Sequence, residues 1–144
     1  MKNILKNRYS RYLLGCLMLA LPLSAFSDVA VVVHPSNASN FSDKDLKKIF
    51  LAKKKKFPAG GRAIVLGQKH GTAIKNKFTK GLLNKSENQL KAYWSRLIFT
   101  GKALPPKEID DDAEMKKLVG ANPSLIGYID AASVDDSVKV VKTF

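Results

Sequence analysis

Residues 63–74, AIVLGQKHGTAI, contain a short apolar run, a polar turn and the start of a helix. Residues 63–66 predict a buried strand, because a continuous apolar run this short suits a strand. Gly67–His70 predict a turn, and Gly71-Thr72 predict a helix start, since Thr caps helices well and Gly tolerates tight turns. The apolar face of that helix would hold Ile74, Phe78 and Leu82. A strand, a turn and a helix in this order are the repeating unit of α/β proteins.

Three further apolar runs predict strands, at residues 29–33, 125–129 and 138–141. The first is rich in β-branched residues and has no polar position, which favours a strand buried on both faces.

Three further helices are predicted between these strands. Ser42 and Ser86 can cap free amides, and Asp110–Asp112 suit the positive start of a helix. The helix after Ser86 would pack Tyr93 and Trp94, with Ile98, against the core. The alternation predicts an α/β domain with a mostly parallel or mixed sheet of about four strands flanked by helices.

The N-terminal part of the chain resembles an export signal. Residues 1–12 carry four basic residues and no acid, and Leu13–Leu23 form an apolar run that ends near Ala25-Phe26-Ser27. A basic start, a short apolar run and a small-x-small end are typical of a cleaved signal peptide. We therefore expect residues 1–27 to be a signal peptide, residues 28–144 to be the mature domain, and the periplasm to be its location, with no transmembrane anchor after cleavage.

Composition limits the function classes. The chain of 144 residues has a net charge of +13 and one Cys. That Cys lies in the predicted signal peptide, so the mature domain would have neither a disulfide nor a thiolate nucleophile. No nucleophile motif such as Gly-x-Ser-x-Gly is present, no metal ligand set is apparent, and no nucleic-acid-binding module is recognisable. We expect a protein that is not an enzyme and that needs no cofactor or metal.

A basic segment, Lys53–Lys56, follows Lys47 and Lys48. It has two interpretations: it steers anions or acidic envelope partners, or it is a solvated loop that raises solubility.

Several motifs occur in an order that resembles a known family. They are Ser42–Phe50, the Lys-rich loop into Phe57-Pro58, the strand–turn–Gly-Thr–helix unit, Phe99–Lys102 and Pro123–Tyr128. This order resembles the second lobe of periplasmic phosphate-binding proteins of ABC transporters, which are type II periplasmic binding proteins. It is more similar to short exported proteins that keep only that lobe. The resemblance implies the fold of a single lobe.

The ligand pattern of that family is only partly present. In the full-length phosphate binders the turn reads Arg-x-Asp-Gly-Ser-Gly-Thr, and residues 66–72 here read LGQKHGT. Only Gly71 and Thr72 match, while Leu66 and Gln68 stand where the family has Arg and Asp. The resemblance therefore implies weaker and less selective oxyanion binding.

The predicted anion site is the turn Gln68, Lys69, His70, Gly71 and Thr72. A glycine turn at a helix start presents free amides to an anion, and the helix dipole adds partial positive charge. Lys69 adds a cation, His70 adds one when protonated, and Gln68 can donate to a fully ionised oxyanion. The alternative is that Gly71-Thr72 only caps the helix.

Ser36 and Asn37 follow the first strand and are predicted to face the same ligand, because α/β sheets place sites beyond the carboxyl ends of strands. As ordinary turn residues they need no such role.

The sequence thus predicts an exported phosphate- or oxyanion-binding-like protein associated with ABC-type solute uptake. Its expected partners are inorganic phosphate or a similar oxyanion and an ABC permease or other envelope protein. One alternative is an interaction or regulatory module that keeps the fold, binds no ligand and docks an envelope partner. Another is a sensor component whose ligand is not an inorganic anion.

Overall fold

The computed structural model describes residues 27–144. The predicted signal peptide lies outside the described residues except for Ser27. Within these residues, five strands and four α-helices follow one another in the order β1 Val29–Val33, α1 Asp43–Phe50, β2 Ile64–Gln68, α2 Ala73–Gly81, α3 Glu87–Phe99, β3 Lys107–Ile109, α4 Asp112–Ala121, β4 Leu125–Asp130 and β5 Lys139–Thr143. The predicted α/β class is confirmed.

The strands form one mixed sheet in the order β3-β2-β4-β1-β5. Strand β2 is parallel to both β3 and β4, whereas β1 is antiparallel to both β4 and β5. The sheet has one strand more than the sequence suggested. The additional strand, β3, has a single buried residue, Ile109, and therefore shows no apolar run in the sequence.

Strand β1 lies inside the sheet and is buried on both faces, as its composition predicts. Val29, Val31 and Val33 pack with α1 and α2 on one face, and Ala30 and Val32 pack with α4 on the other. Each of these side chains is at most 1% exposed. Burial of a valine side chain stabilises a fold by about 1.5–3 kcal/mol, so β1 contributes to both cores.

The helix starts have the caps that the sequence predicts. Ser42 and Ser86 each form a capping box, with Asp45 and Gln89 respectively. Thr72 caps α2 and Asp111 caps α4 by accepting hydrogen bonds from backbone amides. Since the caps satisfy amides that a helix leaves free, they define where each helix begins.

Helix α3 packs only part of its apolar stripe. Trp94 is buried, and the Tyr93 hydroxyl donates a hydrogen bond of 2.6 Å to the backbone oxygen of Leu51. Ile98, however, is 49% exposed, so the prediction that it packs fully against the core is wrong. Phe99 is 93% exposed at the end of the same helix.

Candidate functional site

The turn between β2 and α2 has the backbone form that the sequence predicts. Gly71 has a φ of +81°, which L side chains rarely adopt. The Thr72 hydroxyl oxygen accepts a hydrogen bond of 3.3 Å from the amide of Lys75 and donates one of 3.0 Å to the carbonyl oxygen of Lys69. Because a helix has no internal acceptors for its first amides, those of Ala73 and Ile74 stay free, whereas Thr72 caps that of Lys75. The turn therefore presents partial positive charge to solvent.

Gln68 is part of the core. Its side chain is 3% exposed, and its amide nitrogen donates to Oδ1 of Asp112 at 2.7 Å and to the backbone oxygen of Tyr128 at 2.9 Å. A carboxamide nitrogen has two N–H groups, and both are used here. Gln68 thus joins β2 to β4 and α4, and its side chain has no N–H left to donate to a ligand.

Tyr128 completes this buried arrangement. Its hydroxyl oxygen accepts a hydrogen bond of 3.1 Å from the backbone amide of Gln68. Burial raises the pKa of Tyr128, so the phenol stays neutral. Sequence reasoning missed Tyr128 and Asp112 as partners of Gln68, since the three residues are distant in the chain.

The basic side chains of the turn lie close to carboxylates. Lys69 lies 3.5 Å from Asp110, and Nε2 of His70 lies 3.6 Å from Glu87. A third pair is closer: Nζ of Lys75 lies 2.5 Å from Glu108. The hydrogen bond from Lys75 is the main cause that holds the pKa of Glu108 below its usual value. A bound oxyanion would compete with these carboxylates, so the turn favours weak binding that is sensitive to salt.

The structure does not bring Ser36 and Asn37 to this turn. Val33 pairs with Ile126 on β4, and Val65, at the start of β2, pairs with the same residue. The segment after β1 therefore lies at the sheet edge where β2 begins, whereas Gln68–Thr72 lie where β2 ends. The prediction that both segments face one ligand is wrong, because β1 runs antiparallel to its neighbours.

Ser36 and Asn37 instead form local turn contacts. Oγ of Ser36 lies 2.7 Å from Nδ1 of His34, and Oδ1 of Asn37 accepts a hydrogen bond of 2.9 Å from the amide of Ser39. Both residues also line a shallow polar recess of about 320 Å³ together with Arg62.

The basic segment is an exposed loop. Lys53, Lys55 and Lys56 are exposed, while Lys54 forms an ion pair of 2.9 Å with Asp45. The buried ring of Phe57 anchors the loop to the core.

An apolar cavity of about 330 Å³ lies between α2, α3 and the β2–β3 edge. Apolar and aromatic side chains form most of its wall, namely Phe50, Phe78, Leu83, Leu90, Trp94, Ile98, Pro105, Pro106 and Tyr128. Sequence reasoning took Trp94 and Ile98 as core residues. In the sequence, an apolar helix face that lines a cavity has the same residue spacing as one that packs in a core, so the spacing on α3 could not distinguish the two.

Across residues 27–144, no helix has the length and apolarity needed to cross a bilayer. Within the same residues, no group of three or more His, Cys, Asp or Glu side chains could hold a metal ion.

Comparison with solved structures identifies the fold. A phosphate transport receptor of ABC type from Vibrio cholerae superposes with a TM-score of 0.62 at 19% identity, covering 81% of this chain and 46% of the receptor. A Clostridium perfringens protein is described as a putative phosphate ABC transporter substrate-binding protein and was solved with bound phosphate. It superposes with a TM-score of 0.64 at 23% identity, covering 81% of this chain and 45% of that protein. PstS from Borrelia burgdorferi superposes with a TM-score of 0.58 at 13% identity, covering 81% of this chain and 47% of PstS.

These similarities establish the fold and the share of the known structures that this chain covers. The chain spans somewhat under half the length of the structures that it matches, as expected for a single lobe. No family model matches the sequence, and no curated protein matches it.

Proposed function

We propose that this protein is an exported phosphate- or oxyanion-binding-like protein that acts in the periplasm in association with ABC-type solute uptake. The observation that carries the proposal is the outward-facing start of α2, with Gly71 at positive φ and Thr72 as cap, at the carboxyl end of β2. Backbone amides at a helix start bind anions, and this fold is shared with phosphate receptors.

The proposed mechanism is reversible capture without chemistry on the ligand. The amides of Gly71, Ala73 and Ile74 would contact the oxyanion, and Lys69 and His70 would exchange their carboxylate partners for it. Both side chains are more than 60% exposed, so their ion pairs contribute little stability and can be replaced. Gln68 holds the end of β2, where the turn begins, in place through its hydrogen bonds to Tyr128 and Asp112.

Thermal unfolding of the purified protein tests the proposal. Phosphate, sulfate and arsenate are compared with chloride at matched ionic strength. A ligand at about 100 times its dissociation constant adds about 2.7 kcal/mol of stability, which shifts the midpoint by several degrees. We expect a shift with an oxyanion beyond the chloride control, and we expect Lys69→Ala to reduce it.

A second candidate function is an interaction module that binds no anion and docks an envelope partner. The occupied donors of Gln68 and the carboxylates beside Lys69 and His70 favour it. Under this alternative no oxyanion stabilises the protein more than chloride does.

A further inference from the structure

We infer that the apolar cavity between α2, α3 and the β2–β3 edge is a binding site for a small zwitterion with an aromatic ring, the chemical class of the aromatic amino acids. This site adjoins the anion turn, with which it shares His70 in its lining, and it takes a different ligand.

The size and the wall of the cavity suit a ring. Its volume of about 330 Å³ lies within the range of small-molecule sites, which begins at about 300 Å³. An apolar cavity of about 150 Å³ already holds benzene, so there is room for a ring with a short chain. Phe50, Phe78, Trp94 and Tyr128 supply aromatic surface. Aromatic rings pack favourably edge to face or offset against one another.

The charges that line the cavity are of both signs. The ion pair Lys75–Glu108 and the contact between His70 and Glu87 both lie on its lining, together with the exposed Lys91. The carboxylates of Glu87 and Glu108 are each 45% exposed, so they lie at the boundary between the cavity and solvent. A ligand placed there can reach both a cation and a carboxylate.

This mixture of charges selects a zwitterion. A compound with only an anionic group would lie against Glu87 and Glu108, and one with only an ammonium group would lie against Lys75 and Lys91. A zwitterion has a partner for each of its charges. The side chains of His70 and Glu87 are 64% and 45% exposed, so their contact contributes little stability and can be exchanged for a ligand at small cost.

The cavity also contains its own reporter. Trp94 is the single tryptophan of the chain and lies in the cavity wall. The test titrates L-phenylalanine into the purified protein and follows tryptophan fluorescence at an excitation wavelength that phenyl rings do not absorb. Phenylpropionate and phenethylamine keep the ring with one charge each, and glycine keeps both charges without the ring.

We expect saturable binding of L-phenylalanine and at least about tenfold weaker binding of the three other compounds, because each lacks one element that the site contacts. Equal affinity for L-phenylalanine and phenylpropionate, or no saturable change with any ring compound, would overturn the inference.

Variants on α3 locate the binding. Ser95 is exposed and lines the cavity, whereas Ala92 is exposed on the same helix and does not. We expect Ser95→Phe to weaken L-phenylalanine binding at least about tenfold by filling the cavity, while Ala92→Phe binds like the wild type. If Ser95→Phe fails to fold, Ser95→Leu gives the same comparison with a smaller side chain. Equal binding by the Ser95 and Ala92 variants would contradict the assignment.

The same proteins separate this inference from the proposed function. Ser95→Phe should keep the response to phosphate or sulfate, since Ser95 is not part of the β2–α2 turn. L-Phenylalanine binding that persists in a protein with no oxyanion response would leave the cavity assignment intact and remove the anion proposal.

Discussion

The amide nitrogen of Gln68 lies 2.7 Å from Oδ1 of Asp112, 44 positions further along the chain. Oδ2 of the same carboxylate accepts a hydrogen bond of 3.1 Å from the amide of Asp130. Asp112 thus holds the end of β2 and the end of β4 to the first turn of α4. Gln68, which the sequence predicts as an anion ligand, is therefore a structural residue.

Asp112→Ala should lower the free energy of unfolding by about 1–3 kcal/mol, because it leaves a buried N–H of Gln68 and the amide of Asp130 without acceptors. Urea denaturation measures the change. Asp136→Ala is the control, since Asp136 is exposed and takes part in none of the ion pairs of residues 27–144. Equal stability of the two variants would mean that the contact contributes nothing.

Gly127→Ala should destabilise the protein by about 1–3 kcal/mol through overpacking. A Cβ atom at Gly127 would lie 2.4 Å from Sδ of Met115, whose side chain is fully buried. At Gly67 the nearest contact of an added Cβ is an ordinary 3.5 Å, so Gly67→Ala should cost much less. Thermal unfolding of both variants gives the comparison, and a larger loss for Gly67→Ala would contradict it.

Thr72→Val should lower the free energy of unfolding by about 1 kcal/mol, because α2 loses its cap. Ser86→Ala removes the cap of α3 and should cost a similar amount. Only Thr72→Val should also reduce stabilisation by phosphate or sulfate, since the Ser86 side chain bonds to Gln89 and is not part of the turn. A full oxyanion response in Thr72→Val would argue that the turn is only a helix start.

Asp45 makes stability depend on acidity. Hydrogen bonds from Ser42, and then from Lys54, lower the pKa of Asp45 from 3.8 to about 2. The charged form is favoured in the folded state, so its contribution is complete above pH 3.8 and is lost as the pH falls through about 2. The difference in unfolding free energy between wild type and Asp45→Asn should therefore shrink over this range. Urea titrations at several pH values test it, and a difference that grows on acidification would contradict the assignment.

Local patterns in the sequence predicted the elements well. The composition of β1 indicated burial on both faces, and the serine and threonine caps marked three helix starts. These features depend on neighbouring residues, so they are visible in the sequence. Strand β3 was missed because Lys107 and Glu108 are charged, so the segment lacks an apolar run. Its strand conformation is stabilised by pairing with β2.

The candidate site was harder to predict, since it depends on strand direction and on distant partners. Ser36 and Asn37 lie at the opposite sheet edge because β1 is antiparallel to β4. Gln68 is buried because Tyr128 and Asp112 surround it with acceptors. Neither the direction of β1 nor the burial of Gln68 can be predicted from residue spacing in the sequence.

The place of β1 between β4 and β5 has a consequence for the order of folding. The amide of Val29 donates to the carbonyl oxygen of Phe144 at 3.0 Å, and the amide of Phe144 donates back at 3.1 Å. An interior strand from the first part of the domain thus pairs with strands from its last part, which gives the sheet a high contact order. Chains with such distant pairings fold slowly, because loop closure precedes the contacts that compensate for it. The sheet can be completed only when the whole domain has been synthesised, so β1 stays without its partner strands until then.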